Sequence, residues 1–161
     1  MSAIEVYRPV EPLAIASATR IAAQKMAEYV CKDLQIVPAS LRWFAATDRP
    51  LTIDELVDPV IECLNTNTEG GVRLQGHVCD ATPSVIWLRK DLRPYDAARV
   101  VAHEARHLWQ ISVGWKPPEP NLKDAIATGE ARTLWRCKRE ADAKAYSDAV
   151  EAKVQQIAHS V

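Results

Sequence analysis

Residues 99–110 read RVVAHEARHLWQ, and how this stretch folds decides the reading of the whole chain. Pro94 or Asp96 can open a helix ahead of it, and Gly114 can close it. A helix turns about 100° per residue, so His103 and His107 lie roughly 40° apart on one face, one turn from each other. Two imidazoles at that spacing reach a single tetrahedral zinc ion at ~2.0–2.1 Å. Glu104 falls about 60° beyond His107, on the shoulder of that face, where a carboxylate can contact a water without ligating the metal. On the same wheel Ala97, Ala98, Val101, Ala102, Ala105, Leu108 and Trp109 form a broad core side. Arg99, Arg106 and Gln110 form a narrow solvent stripe. His103 and His107 stand on the border, where packing holds a side chain that solvent still reaches. The chain has four histidines, and two of them bracket a glutamate at this spacing.

Outward from this helix, the chain alternates helical and extended signals. Residues 12–34 space Ile15, Ile21, Met26, Tyr29 and Val30 as a helix does. Pro38 blocks continuation, and Leu41–Ala45 reads as a short strand before the turn at Asp48-Arg49-Pro50. Thr52 and Glu55 form a capping box for a helix to Leu64, kinked at Pro59, and NTNTEGG at 65–71 is a turn. Val72–Val78 and Val85–Leu88 read as two strands joined by a hairpin loop, CDATPS. After the HEARH helix, WKPPEPN at 115–121 holds three prolines and must be irregular. From about Asn121, and more firmly from Glu130, the chain is expected to be helical to its end. The expectation is α+β, with helices packed around a small, mainly antiparallel sheet, in one domain over residues 1–161.

Composition narrows the classes. Apolar residues make up 48% and charged residues 25%, enough apolar surface to bury a core. The net charge of −1, without blocks of like charge, argues against a nucleic-acid partner or an anionic membrane surface. Glu5, Arg8 and Glu11 spoil a secretory signal, and no apolar run nears the ~18 residues of a membrane span. Cys31, Cys63, Cys79 and Cys137 show no CxxC spacing, so buried reduced thiols in a cytoplasmic protein are expected. Trp87, Trp109 and Trp135 are expected in the core and Trp115 at a pocket rim.

A catalytic zinc ion takes three protein ligands and keeps a fourth position for water. No third histidine follows His107 in LWQISVGWK, so the third ligand comes from elsewhere, most naturally an acid in CKREADAKAYSDAV, residues 137–150. HEARH together with Glu140, Ala143, Tyr146 and Ser147 resembles the gluzincin-type zinc peptidases, in particular the small ImmA/IrrE-like group. There, HExxH is followed by E-x-x-A-[ND]-x-F-A on a later helix. The resemblance covers about residues 85–150, with Tyr146 in place of the family's Phe and Lys144 where the family carries Asn or Asp. It implies a zincin-like fold, one zinc ion held by His103, His107 and Glu140, and Glu104 as general base. On the wheel of the last helix, Glu140 sits on one edge of the apolar stripe and Asp142 on the other, so Asp142 is the alternative ligand. Glu130 is a more distant third.

Such a site hydrolyses a peptide bond, Glu104 taking the proton from water and passing it to the leaving amine. Tyr146 could donate to the developing oxyanion. His77 lies on a strand that could approach the cleft, whereas His159 is too near the chain end. By the resemblance, Val85–Leu88 would act as the edge strand that pairs with an extended peptide, and the 115–121 loop as a lid or rim. The expected partner is a peptide or protein substrate. The alternative is a zinc-stabilised protein-interaction module without peptidase activity. The sequence is silent on oligomeric state.

Overall fold

The computed structural model describes residues 7–8, 15–46, 76–78 and 84–161. The expected helix from Thr52 to Leu64, the turn at 65–71 and strand residues 72–75 lie outside the described residues. The first helix, α1 (Ser17–Leu34), ends at Gln35, whose left-handed backbone (φ 55°) lets its N–H reach the Cys31 and Lys32 carbonyls. Its buried face is Thr19, Ala22, Ala23, Met26, Ala27, Val30 and Cys31. Ile21 and Tyr29, which share the helical spacing of the apolar residues, are 45% and 37% exposed. The inward stripe is small and alanine-rich instead, because α1 lies against another helix and small side chains let the two approach.

Four strands form one sheet in the order β1 (Tyr7–Arg8), β2 (Ser40–Ala46), β4 (Val85–Arg89), β3 (Gly76–His77). β2 and β4 are parallel across five residue pairs, from Ser40↔Val85 to Phe44↔Arg89. β1 on β2 and β3 on β4 are antiparallel, with two residue pairs each. The α+β class matches expectation, while the sheet's longest pairing is parallel rather than antiparallel. A local hydropathy pattern sees β2 as a strand but not its pairing with β4, because a long segment separates the two in the chain.

β4 pairs on both sides, and Ile86, Trp87 and Leu88 are all buried. A parallel interior strand reads as a continuous apolar run for this reason. This corrects the expectation that Val85–Leu88 is an edge strand open to a peptide: β3 occupies the side facing Trp87 and Leu88.

The chain leaves β4 through Leu92 and enters α2 (Pro94–Ser112). Proline suits the first helical position, whose N–H has no acceptor in the helix. Gly114 follows the end of α2 with φ +93°, a conformation glycine adopts without a Cβ clash. The Thr19 hydroxyl donates to the Leu92 carbonyl at 2.7 Å, tying α1 to the start of α2. After the irregular 115–121 segment, the Asp124 side chain accepts from the Ala127 N–H at 3.0 Å and caps α3 (Ala125–Ala149). A break at Val150 separates α3 from α4 (Glu151–His159), where the expectation was one unbroken helix. Val154 and Ile157 of α4 lie in the core.

α2 touches all the other described helices as well as β3 and β4, so its border positions are held from several sides. The core gathers Ala22, Ala23, Met26 and Val30 of α1, Ile86 and Leu88 of β4, and the alanine-rich face of α2. Close alanine packing leaves no room for growth. Ala23→Leu is therefore expected to lower stability by about 1–3 kcal/mol, measured by urea unfolding. An unchanged midpoint would show that α1 has slack here.

Cys31 is buried, which pushes its thiol pKa up, whereas Cys137 is exposed on α3, contrary to expectation. Cys63 and Cys79 lie outside the described residues. Among the described residues no helix is long and apolar enough to cross a membrane.

Candidate metal centre

α2 presents His103, Glu104 and His107 to one side, and α3 lies across that side. His103 is partly exposed, while Glu104 and His107 are 8% and 5% exposed. The two imidazole rings stand nearly perpendicular, at 81°, with centroids 4.9 Å apart. Glu140 reaches down from α3 between them. One carboxylate oxygen lies 3.0 Å from His103 Nε2 and the other 3.0 Å from His107 Nε2. The hydrogen bonds from His103 and His107 hold the Glu140 carboxyl far below the usual carboxylate range, against the opposing effect of burial.

Ligand atoms of His103, His107 and Glu140 all lie within 4.8 Å of one another. Two ligand atoms on a tetrahedral zinc ion stand ~3.3 Å apart, given bonds of ~2.0–2.1 Å. The two imidazole–carboxylate separations are already close to that value. Two imidazole nitrogens and one carboxylate oxygen also make the donor set of a zinc site that retains one open position. The residues present fit a zinc ion.

His107 is oriented by a residue that the helical wheel had placed in solvent. Gln110 is fully buried, because α3 covers the stripe it belongs to. Its amide nitrogen donates to the Arg139 carbonyl and to an Asp142 carboxylate oxygen, both at 2.9 Å. With both acceptors on the nitrogen side, the amide oxygen must face His107 Nδ1, 2.8 Å away. Nδ1 is thus the donor, and the Nε2 lone pair is left for a cation. Arg139 Nε also donates to the same oxygen at 3.3 Å. Burial works against the His107 imidazolium, yet the Glu140 hydrogen bond, the Glu104 charge and Gln110 outweigh it and raise its pKa. A proton and a divalent cation compete for that Nε2 lone pair.

Glu104 is driven toward its neutral form. Burial raises its carboxyl pKa, with His107 and His103 pulling it down and Glu140 pushing it further up. A carboxyl group so placed can accept a proton nearer neutrality than a solvated glutamate can. It opens on a cleft of about 440 Å³ between α2 and α3, which His103 and Glu140 also line.

The alternative acid is engaged elsewhere. Asp142 accepts from Arg106 Nε at 2.8 Å and Nη2 at 3.1 Å as well as from Gln110, and the Arg106 hydrogen bond holds its pKa down. The Arg106 guanidinium in turn lies 3.6 Å from the centre of the Trp109 ring. Tyr146 also faces away from the triad: its hydroxyl donates to Asp33 of α1 at 2.7 Å, and burial followed by Asp33 pushes its pKa up. In this arrangement it is a helix tie rather than an oxyanion donor. Glu130 and His159 are exposed near the start of α3 and the end of α4, and His77 sits on β3 opposite Trp87. Trp115 packs edge-on to Trp109 at 6.5 Å, and no residue of the 115–121 segment lines the cleft.

Gln110 and Arg139 are the site residues that sequence reasoning missed. The usable signal was spacing: Gln110 is three residues past His107 and so shares its side of the helix. Gln110→Ala is expected to weaken zinc binding by about 10- to 100-fold and to lower stability by roughly 1–3 kcal/mol. Zinc competition titration and urea unfolding measure the two effects. Unchanged zinc affinity would remove Gln110 from the site.

A comparison of the chain with protein-family models, with curated proteins and with solved structures finds no match.

Proposed function

We propose that this protein is a zinc-dependent metallopeptidase of the gluzincin type, with His103, His107 and Glu140 as ligands and Glu104 as general base. The observation that carries the reading is the 3.0 Å approach of Glu140 to both imidazole Nε2 atoms, from a different helix, beside a buried Glu104 on a cleft. HExxH by itself is a short pattern, and an acid from a distant helix meeting both histidines is a far more demanding coincidence.

A zinc ion held there would lower the pKa of water toward ~7 and polarise a carbonyl oxygen. The chain's own groups do the remaining work. Gln110 holds His107 in the tautomer that offers Nε2. The Glu104 carboxylate takes a proton from the attacking water, a step that a carboxyl pKa above its solvated value favours, and delivers it to the leaving amine nitrogen. Burial of Glu104 supplies that shift.

The direct test combines metal analysis with hydrolysis. Protein purified without added metal, stripped with a chelator and reloaded, should take up one equivalent of zinc. It should cleave unfolded protein substrates only when loaded. Uptake below about a tenth of an equivalent after zinc addition would overturn the metal reading.

A further inference from the structure

Beside the proposed ligands, charge in the cleft is unevenly distributed. Arg99 lies one helical turn ahead of His103 on α2, and Lys144 lies one turn beyond Glu140 on α3. The two helices run antiparallel: Arg99 approaches Asp148, His103 meets Glu140, and Gln110 meets Arg139. Both cations therefore stand at the same end of the cleft. They share one carboxylate, Asp148, which lies 2.7 Å from Lys144 Nζ and 3.9 Å from Arg99 Nη2. Both cations line the cleft itself, whereas Asp148, the carboxylate they share, is not part of its lining.

All three side chains are about half exposed or more, so the ion pairs among them are cheap to rearrange. The walls between this end and the triad are slim, with Val100 on α2 and Ala141 on α3. Ser147, also in the lining, is buried, and its hydroxyl is turned back to the Lys144 carbonyl at 2.9 Å. A substrate backbone can lie close to such walls, and the ionic groups are the part of the lining able to discriminate.

We propose that Arg99 and Lys144 form a carboxylate-binding subsite that selects peptides carrying a negative charge near the bond to be cleaved. One helical turn is ~5.4 Å and an extended peptide advances ~3.3 Å per residue, which places that charge one to two residues from the scissile bond. The carboxylate is an Asp or Glu side chain or a free C-terminus. The inference rests on the peptidase reading for its cleavage consequence but not for its binding consequence.

The test uses zinc-loaded full-length protein and a pooled library of random peptides, half of the pool amidated at the C-terminus. Wild type is assayed for cleavage, with products read by mass spectrometry. The Glu104→Gln protein is assayed for peptide capture. Negative residues should be enriched over lysine by roughly five- to tenfold near the cut and among captured peptides, the sum expected of two half-exposed ion pairs. The enrichment should shrink at about 0.5 M salt. It should fall to near parity in Arg99→Gln/Lys144→Gln, with single Lys144→Gln intermediate and all variants checked for unchanged circular dichroism. Loss of the preference on amidation assigns the charge to the C-terminus, and its retention assigns it to a side chain. Cleavage without charge preference overturns this inference and leaves the peptidase reading. Charge-selective capture without cleavage keeps the subsite and removes the peptidase reading in favour of a binding module. Neither capture nor cleavage removes both.

Discussion

Glu104→Gln is expected to keep one equivalent of zinc while lowering peptide hydrolysis by roughly 10²- to 10⁴-fold, the range a positioned general base supplies. The substitution removes the proton acceptor and preserves shape. It touches none of the three proposed ligand atoms, those of His103, His107 and Glu140. Stability should not fall, because the Glu104 carboxyl is buried and the fold already disfavours its charged form. Zinc content, melting temperature and single-turnover hydrolysis of an unfolded protein together define the result. Equal hydrolysis by wild type and variant would remove Glu104 as the base, whatever the metal content.

The second large effect separates two acids that lie two residues apart on α3. Glu140→Gln should weaken zinc binding by about 10²- to 10³-fold, since an apparent 10–16 kcal/mol shared among four ligands is roughly 3 kcal/mol each. Asp142→Asn should weaken it by about tenfold at most, through the shared contact with Gln110, and should instead cost roughly 1–2 kcal/mol of stability. The physical difference lies in what each carboxylate faces: two imidazole nitrogens for Glu140, a guanidinium for Asp142. Because Arg106 depresses the Asp142 pKa, that pair contributes fully above about pH 4, the unfolded value, and is lost as pH falls through the lower folded value. Acid unfolding of Asp142→Asn should thus be flatter at its low-pH end. Similar zinc affinities for the two variants would sink the assignment of Glu140 as ligand.

Much of this arrangement is visible in the amino-acid order, and the exceptions share one cause. The α2 helix, its alanine-rich inner face and the border position of His103 follow from a 3.6-residue period, which is a local property. His107, expected on the same border, is buried. Pro94 at the start and Gly114 just past the end mark its limits by backbone preference alone. The strand at Val85–Leu88 and its hairpin partner were legible on the same local grounds. Leu41–Ala45 was legible as a strand too, but its parallel pairing with β4 was not, because pairing between distant segments leaves no periodic trace in either one.

The site divides along the same line. Sequence alone determined that two histidines and a glutamate share one side of one helix, because helical geometry places them there whatever else the chain does. It left Glu140 and Asp142 as rivals on opposite edges of one stripe and put Gln110 in solvent. Only the tertiary structure decided where those three side chains lie, because the deciding event is the crossing of α3 over α2. That crossing buries Gln110 against His107, gives Asp142 to Arg106, and leaves Glu140 facing both imidazoles. A helical wheel records the angle of each residue about its own axis, and it holds no information on which neighbouring helix covers that angle.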